Sequence, residues 1–239
     1  VSRTFLQLCQ DVVADLGVAG GTLSSVTSSS LNQEQLRIIG WVARADLTIQ
    51  NLWADWSFLW YRDPAVIAQA GASQLAVTLP SWAASLQTID RCSMWQDYGL
   101  STSRVVPWMD WERFASLYYS RPLTTAPNPS CFSQDPGGNL YLSNNVPVQS
   151  TFSLAYWCLG NRMANNTDIS RIPVNFDQII CERAKIYYAQ RENAPEIMSG
   201  ATAEFIDGLE KLQAWGLPNN TAGRRSRNDQ TTAQDGYVE

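Results

Sequence analysis

The spacing of apolar positions along the chain changes twice, from helical to alternating and back to helical. Near the start, Phe5, Leu8 with Cys9, Val12 and Leu16 recur every three or four residues. That predicts a helix over about Arg3 to Leu16, stopped by Gly17. The Gly/Ser-rich stretch 17–30 has neither G-K-[ST] nor G-x-G-x-x-G, so it reads as linker and not as a phosphate cradle. Asn32 with Gln35 three residues later is a capping-box pair opening a second helix, Gln33 to Asp55. Leu36, Ile39, Val42, Ile49 and Leu52 give this helix one apolar face, and it runs into Trp53, Trp56, Phe58, Trp60 and Tyr61. Pro64 bars any further helix.

Beyond Pro64 the period becomes two. Val66, Ala68 and Ala70 alternate, Gly71-Ala72-Ser73 turns the chain, and Leu75, Val77 and Leu79 alternate back, which predicts a hairpin. A third strand is expected over Leu86 to Trp95, with a short partner at Arg104 to Val106. A small helix from Asp110 to Tyr119 places Trp111, Phe114, Leu117 and Tyr118 on one side. Further strands are expected at Cys131 to Ser133, Leu140 to Leu142 and Thr151 to Leu159. Helices then return. One has Pro173 at its start and Phe176, Ile179, Ile180, Ala184, Tyr187 and Tyr188 facing a core. The last covers Ile197 to Ala214, with Phe205, Leu209, Leu212 and Trp215 as its stripe.

This layout predicts an α+β fold in which N- and C-terminal helices form a helical bundle with an inserted β-rich lobe and an extended C-terminal arm. The segments are 1–62 (first helices), 63–172 (lobe), 173–215 (last helices) and 216–239 (arm). The arm, GLPNNTAGRRSRNDQTTAQDGYVE, has too few apolar groups to offset the entropy of ordering it alone, so it is expected to order against a partner chain. In that role Arg224, Arg225 and Arg227 would pair with carboxylates on a neighbour, and Tyr237 with Val238 would be an apolar anchor. A solvated terminus is the plain alternative.

Composition narrows the functional classes. With 22 acidic against 17 basic residues and a pI near 4.8, the chain lacks the basic balance of a protein that grips nucleic-acid phosphates. Only 16% of residues are charged, which favours surface that meets other protein. No window approaches the roughly 18 apolar residues of a membrane span. The N-terminal stretch lacks a signal-peptide core, and Val1 reads as following a removed initiator Met. Cys9, Cys92, Cys131, Cys158 and Cys181 form no C-x-x-C pair and read as small buried hydrophobes of a reducing compartment.

No histidine is present, so the commonest general base and metal ligand is missing. There is no G-x-S-x-G, S-x-x-K or P-loop. Asp46, Asp55, Asp90, Asp97, Asp110 and Glu112 supply carboxylates for a glycosidase-like pair, which needs roughly 5–10 Å between carboxyls, but no spacing favours any two. The expectation is therefore no catalytic, cofactor or metal site. Ten tryptophans admit two readings: a sugar-stacking platform, or core and interface packing. Trp53, Trp56 and Trp60, and then Trp108 and Trp111, sit at the junctions between helices and lobe, which favours packing.

The order of elements resembles the head-to-tail adaptor (connector) proteins of tailed bacteriophages, particularly short-tailed ones. The resemblance is carried by the hairpin PAVIAQAGASQLAVTLP, the strand LQTIDRCSMW, the aromatic helix MDWERFASLYY, the GNLYL…FSLAY strands and the closing IPVNFDQIICERAKIYYAQ helix. It covers most of the chain and rests on order, not on an invariant signature. It implies a dodecameric homo-oligomeric ring at the head–tail junction of the virion, made in the host cytoplasm and bound between the portal protein and the tail nozzle. The arm would reach the portal, and genomic DNA would pass through the channel without sequence-specific binding. A carbohydrate- or receptor-binding tail protein, or another ring of the same tail such as a nozzle or head-completion protein, is the alternative.

Overall fold

The computed structural model describes residues 2–18, 23–91, 94–97 and 103–217. The chain divides into two compact units: a helical one, Val1–Leu59 with Gly160–Glu239, and a β-rich one, Trp60–Leu159.

In the helical unit, α1 (Phe5–Asp15) begins at a capping box. The Gln7 N–H donates to the Thr4 hydroxyl, and the Thr4 N–H donates to the Gln7 side-chain oxygen. The expected Asn32–Gln35 box opens α2 (Gln33–Gln50). This helix stops five residues short of Asp55, and the reason is local. Trp56 folds back so that its indole N–H donates to the Ile49 carbonyl at 3.1 Å, satisfying one of the orphan acceptors of the last turn. After a 3-10 turn at Val174–Phe176 come α4 (Gln178–Glu192) and α5 (Pro195–Gly216). Asn193, left-handed at φ 55°, ends the first of these, and Pro195 starts the second.

In the β-rich unit the strands are β1 (Trp60–Ala68), β2 (Gln74–Ala76), β3 (Ala83–Ile89), β4 (Trp95–Gln96), β5 (Arg104–Val105), β6 (Phe132–Gln134), β7 (Leu140–Leu142) and β8 (Ser150–Gly160). A short α3 (Trp111–Phe114) widens into a π-helical turn, Ala115–Tyr119. The order is β5-β4-β8-β1-β2-β7-β6, with β3 also paired to β8. All registered pairs are antiparallel. The central strand β8 buries seven of its eleven residues, including neighbours Phe152, Ser153, Leu154, Ala155 and Tyr156, so both of its faces are covered. Pro64 does not end β1. The register shifts between Asp63 and Val66, and at this bulge no ladder N–H is needed from the proline. The Asp63 carboxylate takes the Ala65 N–H instead.

The expected helical bundle is corrected by this architecture. The mixed α+β class holds only broadly: the fold is a curled antiparallel half-barrel sheet with five helices among the described residues. Three of the helices pack on one another, and the last stands against only one of them. α1 meets α2 and α4, and α2 meets α4. Beyond α4, α5 meets the 3-10 turn and, at its last residue Gly216, the Trp56 ring. Of its 22 residues only Ala201, Leu212 and Gly216 are buried. The contact is close because Gly208 has no side chain: a Cβ there would lie 2.4 Å from the Ile179 Cγ2. A seam of small residues joins two helices and does not build a bundle stripe. Residues 218–239, almost all of the expected arm, lie outside the described residues.

Candidate assembly surface

Part-buried ion pairs link α1 to α4 beside the apolar contacts of the helical unit. Arg3, ahead of α1, donates to both carboxylate oxygens of Asp177 and to Asp11. The Asp177 bond, reinforced by Asp11, holds the guanidinium pKa above its ordinary value against the cost of burial. Lys185 on α4 bridges Asp15 at 2.6 Å and Glu182 at 3.0 Å. Burial pulls its pKa down, and the two carboxylates outweigh that. These contacts clamp α1 to α4.

Deeper in this unit Asp46 is fully buried. Burial pushes its pKa up to about 6, opposed by hydrogen bonds from the Ser170 hydroxyl and the Gln50 amide. Gly160 allows Gln50 to sit there, since a Cβ would come 1.7 Å from its Oε1. The thiols are structural in their setting. Cys9, Cys131, Cys158 and Cys181 are buried, and burial pushes Cys181 up to about 12; Cys92 lies outside the described residues.

The six carboxylates considered for catalysis do not converge as a group. Asp46 and Asp55 belong to the helical unit, and Asp90, Asp97, Asp110 and Glu112 to the β-rich one. Asp110 accepts from the Trp108 indole at 3.3 Å and meets exposed Arg91 at 3.8 Å. Among the described residues no three Cys, Asp or Glu side chains are grouped to hold a metal ion. One cleft among the described residues, of about 630 Å³, runs along Gln10, Asp11, Val13 and Ala14, where Asp11 is already paired with Arg3. Another, about 200 Å³, is lined by Leu75, Val77, Leu79 and Leu86 beside Asn139.

The five tryptophans divide between the units. Trp56 is wholly buried, stacked on Phe58 at 5.1 Å, with the last residue of α5, Gly216, against its ring. Trp53 is half-buried in the same unit. In the β-rich unit Trp60 is exposed beside Arg62, and Trp108 packs edge-on against Phe132. Trp111 joins Tyr119 and Tyr141 in a cluster whose centroids lie 5.1 to 5.7 Å apart. The arm residues Arg224, Arg225, Arg227, Tyr237 and Val238 lie outside the described residues.

What remains open is the surface of α5. Ile197, Met198, Ile206 and Trp215 are all exposed, Ile206 at 50% and Trp215 at 56%, although Trp215 keeps one ring contact, with Phe176 at 5.9 Å. The helical period places Ile206 opposite the seam made by Ala201, Gly208 and Leu212. Next to α5, on the seam between α2 and α4, a feature unread in the sequence appears. The guanidinium carbons of Arg44 and Arg183 each lie 4.9 Å from the Tyr187 ring centroid, and Arg183 is also 5.3 Å from that of Phe205. Arg183 and Tyr187 stand one helical turn apart, a spacing visible in the sequence; Arg44 arrives from a helix about 140 positions earlier, which nothing local signals.

No family model matches the chain, and no curated protein matches it either.

Proposed function

We propose that this chain is a structural virion protein, a head-to-tail adaptor subunit that assembles as a ring between the portal and the tail nozzle and continues the DNA channel. The observation that carries this reading is the unpartnered surface of α5: a 22-residue helix buries three residues and leaves Ile197, Met198, Ile206 and Trp215 open. Single exposed apolar residues are ordinary; four large ones on a helix that buries only three residues, with Ile206 opposite the seam and Ile197 and Trp215 nearer to it, favour a helix that other chains cover. The resemblance in element order supplies the identity of the neighbours. In this reading 216–239 docks on the portal through Arg224, Arg225 and Arg227. Truncation after Trp215 is expected to leave a folded chain that no longer joins portal rings in negative-stain electron microscopy. Attachment of the truncated chain with full affinity rejects the docking role.

A carbohydrate-binding role draws its support from one cluster, Trp111, Tyr119 and Tyr141, with Tyr119 58% exposed. These rings pack on one another and do not stand in an open row, so they favour packing over sugar stacking. Binding on a glycan array that is lost in Tyr119→Ala would reverse that preference.

A further inference from the structure

A guanidinium that lies over an aromatic ring satisfies its face and leaves its in-plane N–H donors available. Arg44 and Arg183 both do this on the single ring of Tyr187. Among the described residues neither forms an ion pair with a carboxylate, although the chain is acidic overall. The Arg183 Nε is buried, beyond the reach of another chain, and this guanidinium also hydrogen-bonds Tyr187, so the exposed Arg44 is the donor that an incoming carboxylate meets first. A third cation stands close by: the Arg162 Nη2 lies 4.0 Å from where a Cβ on Gly40 would be, one turn before Arg44 on α2. Two consecutive tyrosines register the local field. Burial raises the phenol pKa of Tyr187, but hydrogen bonds with Thr48 and Arg183 and the charges of Arg183 and Arg44 turn the net shift downward. Tyr188, raised by burial, feels Glu34 and Glu192 instead and stays raised.

The same unit offers a complementary surface. α5 carries Glu196, Glu204, Asp207 and Glu210 against one lysine, Lys211, which pairs with Asp207 at 2.6 Å. Glu196, Glu204 and Glu210 are exposed and form no ion pair among the described residues. Helical spacing groups Glu196, Asp207 and Glu210 on the side away from Ala201 and Leu212, with Ile206 at its margin.

We propose that Arg44, Arg183 and Tyr187 form a carboxylate-binding site whose ligand is the acidic outer face of α5 in a second copy of this chain. The choice of a second copy rests on the assembly reading above. Site and ligand are different surfaces of the same subunit, so the contact is heterologous, and a heterologous contact closes into a ring when its rotation permits. Ile206 supplies apolar area beside the charges, and the guanidiniums select a carboxylate-bearing neighbour.

The test is a charge swap in the full chain, read by sedimentation velocity and native mass spectrometry with and without a portal preparation. Arg44→Glu/Arg183→Glu and Glu196→Lys/Glu210→Lys are each expected to weaken self-association about tenfold or more. An equimolar mixture of the two is expected to restore it, because each variant's site then meets the other's oppositely charged helix. Raising the salt concentration is expected to weaken the wild-type contact. Thermal unfolding confirms that each variant is folded, and Arg44→Gln/Arg183→Gln replaces the reversal if it is not. Wild-type behaviour of both variants, no rescue on mixing, or no self-association of the wild-type chain under either condition overturns the proposal. Self-association that follows this charge pattern without attachment to portal rings would instead retire the adaptor reading and leave the interface standing.

Discussion

The two units handle apolar surface differently. In the β-rich unit β8 buries seven of eleven residues, and Phe132, Leu142, Phe152, Leu154 and Tyr156 share one core. Its exposed apolar residues are spread over several elements, Trp60 on β1, Val105 on β5 and Val148 in a loop, with Leu117 and Tyr119 together on the π-helical turn. In the helical unit the open apolar residues of α5 follow one another along a single helix. A closed core is what a chain needs in order to fold, and an open helix surface is what it needs in order to be joined. The proposed assembly role rests on this contrast more than on any single residue.

The comparison can be broken most forcefully at the closed core. Phe152→Ala is expected to cost about 3–5 kcal/mol of unfolding free energy in denaturant titration. A loss under 1 kcal/mol would mean that β8 is not the packed centre described.

In the helical unit the largest effect is expected at Asp46. Its folded pKa of about 6 lies above the ordinary 3.8, so the native state holds more protons than the unfolded chain between those values. Stability is therefore highest below about pH 4 as far as this group is concerned, and falls as pH rises through about 6, by roughly 3 kcal/mol in total. Asp46→Asn should remove that component from the pH profile of chemical denaturation. An unchanged profile would place the slope elsewhere.

At the α4–α5 seam, Gly208→Ala drives a methyl into Ile179. A net cost of about 1–2 kcal/mol is expected after the gain of about 1 kcal/mol in helix propensity. Neutrality in thermal unfolding would show that the seam gives way easily. The smallest stability effect belongs to the open surface: Ile206→Ser should change unfolding by no more than about 0.5 kcal/mol while weakening self-association in sedimentation. The reverse pattern would make Ile206 a folding residue.

Much of the fold is legible locally. The Asn32–Gln35 pair opens α2 as expected, and alternation marks β7 and β8 nearly to the residue. The failures are cases where a distant or neighbouring group overrides the pattern. Leu52 and Trp53 continue a helical apolar face, yet the return of Trp56 to Ile49 ends the helix at Gln50. Pro64 bars helix as expected, but the strand expected beyond it begins at Trp60, and a bulge carries β1 past the proline. The stripe Phe205, Leu209, Leu212 and Trp215 suggests a bundle, but Gly208 against Ile179 makes a narrow two-helix seam instead. The arginine pair on Tyr187 is illegible for the same reason: α2 and α4 meet only in the folded chain.

The most direct test of the assembly account is electron microscopy of the purified full chain, alone and mixed with portal rings. Closed rings of this protein stacked on the portal, absent when the portal is omitted or much rarer without it, are predicted. Single particles that leave the portal bare at high protein concentration would contradict the account.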